Sequence, residues 1–329
     1  MTAQASPDFV LTPEQISHFM EHGYIHLKSC FTPEFADTVK EGLWDRLGMS
    51  PTDKKTWSQE RINMPMHRTF DIATYAPAAW AAISQLVGGE DRVLSKQRVW
   101  NDSLIVNLGT PENEGKHMPP QALPGWHVDG DFFVHYLDSP EQALLVIPCF
   151  TKIVSGGGGT MIAPDAIPKV AKHLYEHPEG VSPRMTPRGE NPNFVEEKGL
   201  DWFCSLAKTC NNFVEVTGDV GDVFLLHPLM LHSSSTNPLR MVRVITNPPV
   251  SIQDPFCFDR KDGNYSIVEC ATLKALGKDN LEGWAITGER QNLVPERVRI
   301  QEKMKRGEEE RLEAMRSKLK TSPMVAANA

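Results

Sequence analysis

The chain has 329 residues, 42 acidic against 34 basic, giving a formal net charge of −8, with 40% hydrophobic and 23% charged residues. That acidic balance leaves no basic face for nucleic acid, and no apolar run approaches the ~18 residues a membrane span needs. What is left is a globular chain long enough to bury a core and still enclose a pocket. The opening MTAQASPDFV lacks a charged segment followed by an apolar one, and the ending ANA is no peroxisomal address, so the expected location is cytoplasmic. Six scattered cysteines without a C-x-x-C pair predict reduced thiols packed as small apolar groups.

In chain order, Thr12 followed by Pro13, with Ile16, Phe19 and Met20 at helical spacing, predicts a helix that Gly23 ends. Residues 24–27 alternate like a short strand. Residues 32–48 open on a second Thr-Pro cap and predict one helix closing on Gly48, and residues 77–87 predict a third. From about residue 91, short β-rich runs separated by Gly, Pro and Asn give an all-β pattern. Residues 178–199 are expected to form a surface loop insertion, a feature more often functional than idle. Beyond Pro295 a strongly charged run, with Leu312, Met315 and Leu319 on one face, predicts a solvated terminal helix; docking or dimerisation is the alternative.

The segment GWHVDGDFF, 125–133, places Asp129 inside a run that otherwise reads as a buried strand, where a carboxylate is costly without compensation. Residues two apart on a strand face one side, so His127 and Asp129 form a chelating pair with Val128 turned away. A divalent metal would offset the burial, and an H-x-D pair plus a distant histidine is the ligand set of non-haem Fe(II). A metal-free His-Asp hydrogen bond is the alternative. The spacing alone is weak, since His177 and Glu179 repeat it in a turn-like HPEG. For the third ligand, His135 lies ~26 Å from His127 on an extended strand and needs a chain reversal to return. His227 and His232 differ by five positions, and Pro228 marks His227 as a strand break. His232 is therefore the predicted ligand and His227 a structural histidine.

His232, Asn237 and Arg243, at plus five and plus eleven, together with the upstream H-x-D, resemble the phytanoyl-CoA dioxygenase family of Fe(II)/2-oxoglutarate oxygenases. The opening helix and strand resemble it too, so the likeness covers residues 10–250 and leaves out the tail. The resemblance implies a mainly β fold with flanking helices, a double-stranded β-helix of the jelly-roll, cupin-like kind. The expected domains are an N-terminal helical segment, 1–90, packing on the barrel, a catalytic core, 91–285, and a charged C-terminal helix, 286–329. His127, Asp129 and His232 would be the catalytic metal ligands, and Arg243 would pair with the far carboxylate of 2-oxoglutarate. A guanidinium suits that task because it grips carboxylates with two bonds and stays charged when buried. Arg240 competes, but an odd separation allows only one of the two to face the barrel interior.

GGGGTMIAPDAI, 156–167, matches the family's corresponding run in part, which makes Thr160 a candidate donor to the cosubstrate, with a plain strand threonine the alternative. The four glycines read either as a flexible hairpin or as close backbone approach to a ligand. Asp129 argues against halogenation, in which related enzymes carry a small residue there. The implied reaction consumes 2-oxoglutarate and O2 and oxidises a substrate C–H bond, with succinate and CO2 released. Trp126, Phe132, Phe133 and Tyr136 suggest an aromatic-walled pocket for a small hydrophobic or polycyclic metabolite, as in secondary metabolite biosynthesis; core packing is the even alternative. No Lys or Arg cluster suggests a CoA grip, and a homo-oligomer is compatible. Two rival classes are a cupin-like metalloenzyme without 2-oxoglutarate and a non-catalytic scaffold using the C-terminal helix.

Overall fold

Threonine caps set the N-terminal region as expected. In the computed structural model, which describes residues 9–321, the helix Pro13–His22 begins where the Thr12 hydroxyl accepts from the Gln15 amide at 3.2 Å while the Gln15 side chain accepts from the Thr12 amide at 2.9 Å. Gly23, at φ 70°, ends it and turns the chain into the strand Tyr24–Leu27. The single helix expected over 32–48 is instead two, Pro33–Lys40 and Leu43–Leu47, broken where Glu41 leaves helical geometry and Gly42 takes φ 72°. That break lets Arg46 enter a buried ionic cluster described below. The helix Pro77–Val87 forms where the sequence placed it.

The strands are β1 (Tyr24–Leu27), β2 (Arg61–Asn63), β3 (Thr69–Asp71), β4 (Val99–Asn101), β5 (Ile105–Asn107), β6 (Leu144–Pro148), β7 (Thr160–Ala163), β8 (Val214–Glu215), β9 (Val223–Leu226), β10 (Leu231–Ser234), β11 (Arg243–Ile245) and β12 (Pro249–Val250). They pair antiparallel in the orders β1-β9-β6-β12, β10-β7-β8, β11-β5-β2 and β3-β4. Burial of all five β6 residues and all four β9 residues makes this pair the centre of the apolar core. The region after residue 91 is not all β: helices Ile167–Glu176, Asp201–Ala207 and Ile267–Leu276 interrupt it, and the protein mixes helices with several antiparallel sheets. Turn composition marks element ends but does not reveal what fills the interval between them.

Two expectations about exposure hold only in part. The 178–199 segment lies at the surface only in its second half, 189–199; in the first half Val181, Ser182 and Met185 are fully buried, and Val181 pairs with His135. The C-terminal helix Glu296–Thr321 is not solvated all round. Glu308 is completely buried, its Oε2 accepting from Arg46 Nε at 2.9 Å and lying 2.9 Å from His67 Nε2. Arg46 also lies 3.3 Å from Asp102, and Arg297 grips Asp131 through two bonds of 2.7 and 2.8 Å. A helix dense in charge hides which of its acids has a buried partner. Of the apolar face expected there, Leu312 is half-buried, while the Met315 and Leu319 side chains, like residues 1–8 and the terminal ANA, lie outside the described residues.

The cysteines are free thiols, with Cys30, Cys149 and Cys210 buried and Cys257 exposed. No helix among the described residues is long and apolar enough to cross a membrane.

Candidate metal centre

Sheet β10-β7-β8 carries the site on its β10 edge. His232 pairs with Ile162 of β7 on one side and exchanges two backbone hydrogen bonds of 2.9 Å with His127 on the other. The 125–133 segment is otherwise irregular rather than the expected strand, with Gly130 at φ 124°. Side-chain alternation therefore does not bring His127 and Asp129 together; a single bridge followed by a turn does.

The three side chains converge. Asp129 Oδ1 lies 3.4 Å from His127 Nε2 and 3.6 Å from His232 Nε2, and one donor atom from each of the three residues lies within 4.8 Å of the others. These separations are long for hydrogen bonds and close to the roughly 3 Å between neighbouring donors around an ion with bonds of about 2.1 Å. His127 Nδ1 lies 2.8 Å from the Gly125 carbonyl and His232 Nδ1 3.0 Å from the Met230 carbonyl. A carbonyl can only accept, so each Nδ1 carries the hydrogen and each Nε2 is turned toward Asp129. That is the tautomer and second contact metal-bound histidines use. The free Oδ2 of Asp129 accepts from Asn247 Nδ2 at 3.2 Å. The donor set fits a divalent ion with open positions.

Electrostatics bind the same group together. Burial disfavours the Asp129 carboxylate, but the facing His232 and the contacts from both imidazoles outweigh it and hold its pKa below the usual range. Burial likewise opposes protonated His127, and Asp129 overcomes it to raise that pKa.

Two cavities meet at His127. The larger, about 680 Å³, is lined by His127, His232, Thr160, Ser234, Arg61 and Arg243. Arg243 is 1% exposed; its Nε donates to Gly158 O at 2.8 Å, Nη1 to Ile105 O at 3.2 Å and Nη2 to Ser234 Oγ at 3.0 Å. Among the described residues, one N–H of each Nη is left without a protein acceptor. Burial first, and then neighbouring Arg61, lower its pKa to about 10, so it stays charged at neutral pH. Asn237 holds the turn before β11, donating to Asn107 O at 3.1 Å and accepting from the Met241 amide at 3.2 Å. Arg240, at φ 46°, instead lies beside Trp57 and Glu114. The glycine run is no flexible hairpin: a Cβ on Gly158, at φ 80°, would come within 2.7 Å of Asn107 Nδ2, and its carbonyl holds Arg243.

The smaller cavity, about 530 Å³, is bordered by His127, Asp129, Phe132, Asn101, Arg184 and Arg297. Of the four aromatic residues proposed as its walls, only Phe132 is among its lining residues. Trp126 is buried against Phe213 with its Nε1 on Pro120 O, and the Tyr136 hydroxyl donates to Glu289 O at 2.8 Å. Phe133 is buried and stacks on His135. Aromatic side chains close in sequence to a site pack into the core as readily as they line it.

The remaining histidines fall into place. The chain does reverse after Gly130, so the distance argument against His135 fails, yet His135 stays outside the triad with Nε2 2.8 Å from Gly130 O, and burial lowers its pKa to about 4. His227 is structural: Nδ1 accepts from the Leu229 amide at 3.1 Å, Nε2 meets Thr272 Oγ1 at 3.0 Å, and burial pushes its pKa down to about 3. His177 pairs with Glu179 at 2.9 Å in its turn. Sequence reasoning missed Asn247, Arg61 and Arg184, none of which sits in a motif that distinguishes it from other polar residues.

No family model matches the chain, and no curated protein matches it. Solved structures similar to it include the non-heme alpha ketoglutarate dependent carbocyclase SnoK from nogalamycin biosynthesis, with 16% identity, 78% of this chain and 88% of that one covered, and a TM-score of 0.44. Others are EctD from S. alaskensis with 2-oxoglutarate and 5-hydroxyectoine (16%, 74% and 76%, 0.38) and EvdO2 from Micromonospora carbonacea var. aurantiaca (12%, 75% and 95%, 0.38). Likeness at this level assigns no activity, so the functional reading stands on the site itself.

Proposed function

We propose that the chain is a non-haem Fe(II)/2-oxoglutarate-dependent dioxygenase that oxidises a small organic metabolite. One observation carries this reading: two imidazoles, each fixed through Nδ1 on a backbone carbonyl, turn Nε2 toward a carboxylate at 3.4 and 3.6 Å. His127, Asp129 and His232 would hold the iron on one face, and the antiparallel sheets around them are taken as a double-stranded β-helix. A metal held there would activate O2, the oxidant, drawing two electrons from 2-oxoglutarate as it becomes succinate and CO2 and two from a substrate C–H bond.

The chain's own residues bind and orient. Arg243 offers its remaining N–H groups to the far carboxylate of 2-oxoglutarate in the larger cavity, and Thr160, buried on β7 opposite Ser234, lines the same space. Asn247 steadies Asp129. The smaller cavity, on the Asp129 side of His127, is left for the substrate. Residues 1–90, 91–285 and 286–329 serve in this reading as helical support, catalytic core and C-terminal helix. The expected setting is cytoplasmic, without nucleic acid or membrane partners, and a homo-oligomer is compatible with it.

A second reading rests on Arg243 itself, whose three nitrogens already donate to protein acceptors, as a purely structural arginine would. That is the cupin-like metalloenzyme without 2-oxoglutarate. Anaerobic addition of ferrous iron and 2-oxoglutarate separates the two. The dioxygenase shows a visible metal-to-cosubstrate absorption band, and Arg243→Gln raises the 2-oxoglutarate concentration needed for it by about tenfold or more. Absence of the band in the wild-type protein rejects the proposal.

A further inference from the structure

Asp129 and Asp131 line the smaller cavity, yet among the described residues neither pairs with its Arg184. Half-buried Arg184 reaches that cavity from the largely buried stretch 180–187, and among the described residues its guanidinium has no hydrogen-bond acceptor and no acid within ion-pair distance. Its Nε is buried without a partner. A buried charged donor left unsatisfied is costly, so such a group calls for an acceptor. The other arginine of the cavity, Arg297, shows the contrast, since both its bonds are taken by Asp131.

The backbone holds Arg184 in place. Ser182 Oγ accepts from the Arg184 amide at 3.0 Å and the Thr186 amide at 3.2 Å, and Val181 is pinned to both His135 and Pro187. Next in sequence, buried Met185 adopts φ 69°, a left-handed conformation unfavourable for a side chain of this kind, and its carbonyl lies 2.7 Å from His173 Nε2. Backbone held in such a conformation persists where the surroundings over-determine it, and it clusters at sites that present a group to a ligand.

We propose that Arg184 seats a carboxylate of the substrate, which makes the substrate class a small organic acid rather than a neutral hydrophobic or polycyclic compound. The inference rests on the reading of His127, Asp129 and His232 as a metal centre. An Nε and its neighbouring Nη present the parallel pair of N–H groups that a carboxylate fits side-on. Asn63 borders the same cavity, as does Asn101, whose Oδ1 is held by Ser103 and leaves Nδ2 to donate to a hydroxyl or carbonyl group on the rest of the molecule. About 530 Å³ accommodates a metabolite of that size.

Benzoate and its uncharged counterpart benzamide serve as probes. Each is added to protein loaded with manganese(II) and saturating 2-oxoglutarate, and the paramagnetic relaxation of its protons is normalised to bound manganese. Benzoate is expected to bind about tenfold or more tightly than benzamide and to relax strongly; Arg184→Gln abolishes that preference and Arg184→Lys keeps part of it. Circular dichroism establishes that both variants are folded. Equal relaxation by the two probes, or a benzoate preference that survives in Arg184→Gln, overturns the substrate class while leaving the metal centre intact. Failure of the wild-type protein to bind manganese overturns the parent reading and this inference with it.

Discussion

Buried Glu308 in the C-terminal helix and half-buried Asp129 beside β10 are carboxylates treated very differently by their surroundings. Glu308 is fully enclosed and answered at 2.9 Å by both Arg46 and His67, while Arg46 spends its other nitrogens on the Asp102 carbonyl at 3.2 Å and the Pro65 carbonyl at 2.6 Å. Asp129 is 16% exposed, opens onto a cavity and meets its imidazoles only at 3.4 and 3.6 Å. Closed geometry of the first kind fastens two parts of a fold together. Loose geometry around inward-turned Nε2 atoms leaves room for an ion between the groups.

Breaking each acid sharpens the contrast. The largest effect is expected from Asp129→Ala, which removes a ligand outright: metal binding measured by titration calorimetry and turnover measured as succinate release should both be lost. That loss exceeds the roughly 10- to 100-fold expected when only a supporting contact to a ligand goes. Its melting temperature without metal should move less than that of Glu308→Ala. The latter leaves Arg46 buried without its closest acid and should cost about 3 kcal/mol in chemical unfolding, the lower end of the usual range because Asp102 stays 3.3 Å away. Folded Glu308→Ala should still bind metal.

The smallest effect concerns acid sensitivity. His227 titrates near 3 in the folded protein because burial disfavours its charge, against about 6.5 in an unfolded chain. The unfolded state therefore takes up the proton first, so the His227 contribution is constant above pH 6.5 and stability falls as pH drops from there toward 3. His227→Gln should be about 1–3 kcal/mol less stable at pH 7, having lost its bonds to Thr272 and Leu229, yet show a shallower decline over that window. A decline as steep as that of the wild type assigns the acid sensitivity to other groups.

Local chemistry was legible in the sequence; long-range pairing was not. Thr12 and Gly23 bracket a helix because a cap and a left-handed glycine act within a few residues. His127, Asp129 and His232 stood out by donor chemistry only once a family resemblance supported a spacing that is weak alone, and that resemblance implied the role of Arg243; the strand invoked for the first two is a bridge and a turn. Arg46 and Glu308 stand 262 positions apart, and nothing in a run of alternating charges marks one glutamate as buried. Gly42 lies inside the single helix expected over 32–48, and its left-handed conformation is where that helix breaks. Trp126 and Tyr136 were ambiguous for a related reason, since apolar bulk beside a metal pair serves a core and a pocket equally well.

X-ray diffraction from crystals grown anaerobically with ferrous iron, recorded on both sides of the iron absorption edge, tests the central claim most directly. The account predicts one anomalous peak about 2.0–2.2 Å from His127 Nε2, His232 Nε2 and an Asp129 oxygen. Iron bound elsewhere, or a saturating soak that leaves this position without a peak, would contradict it.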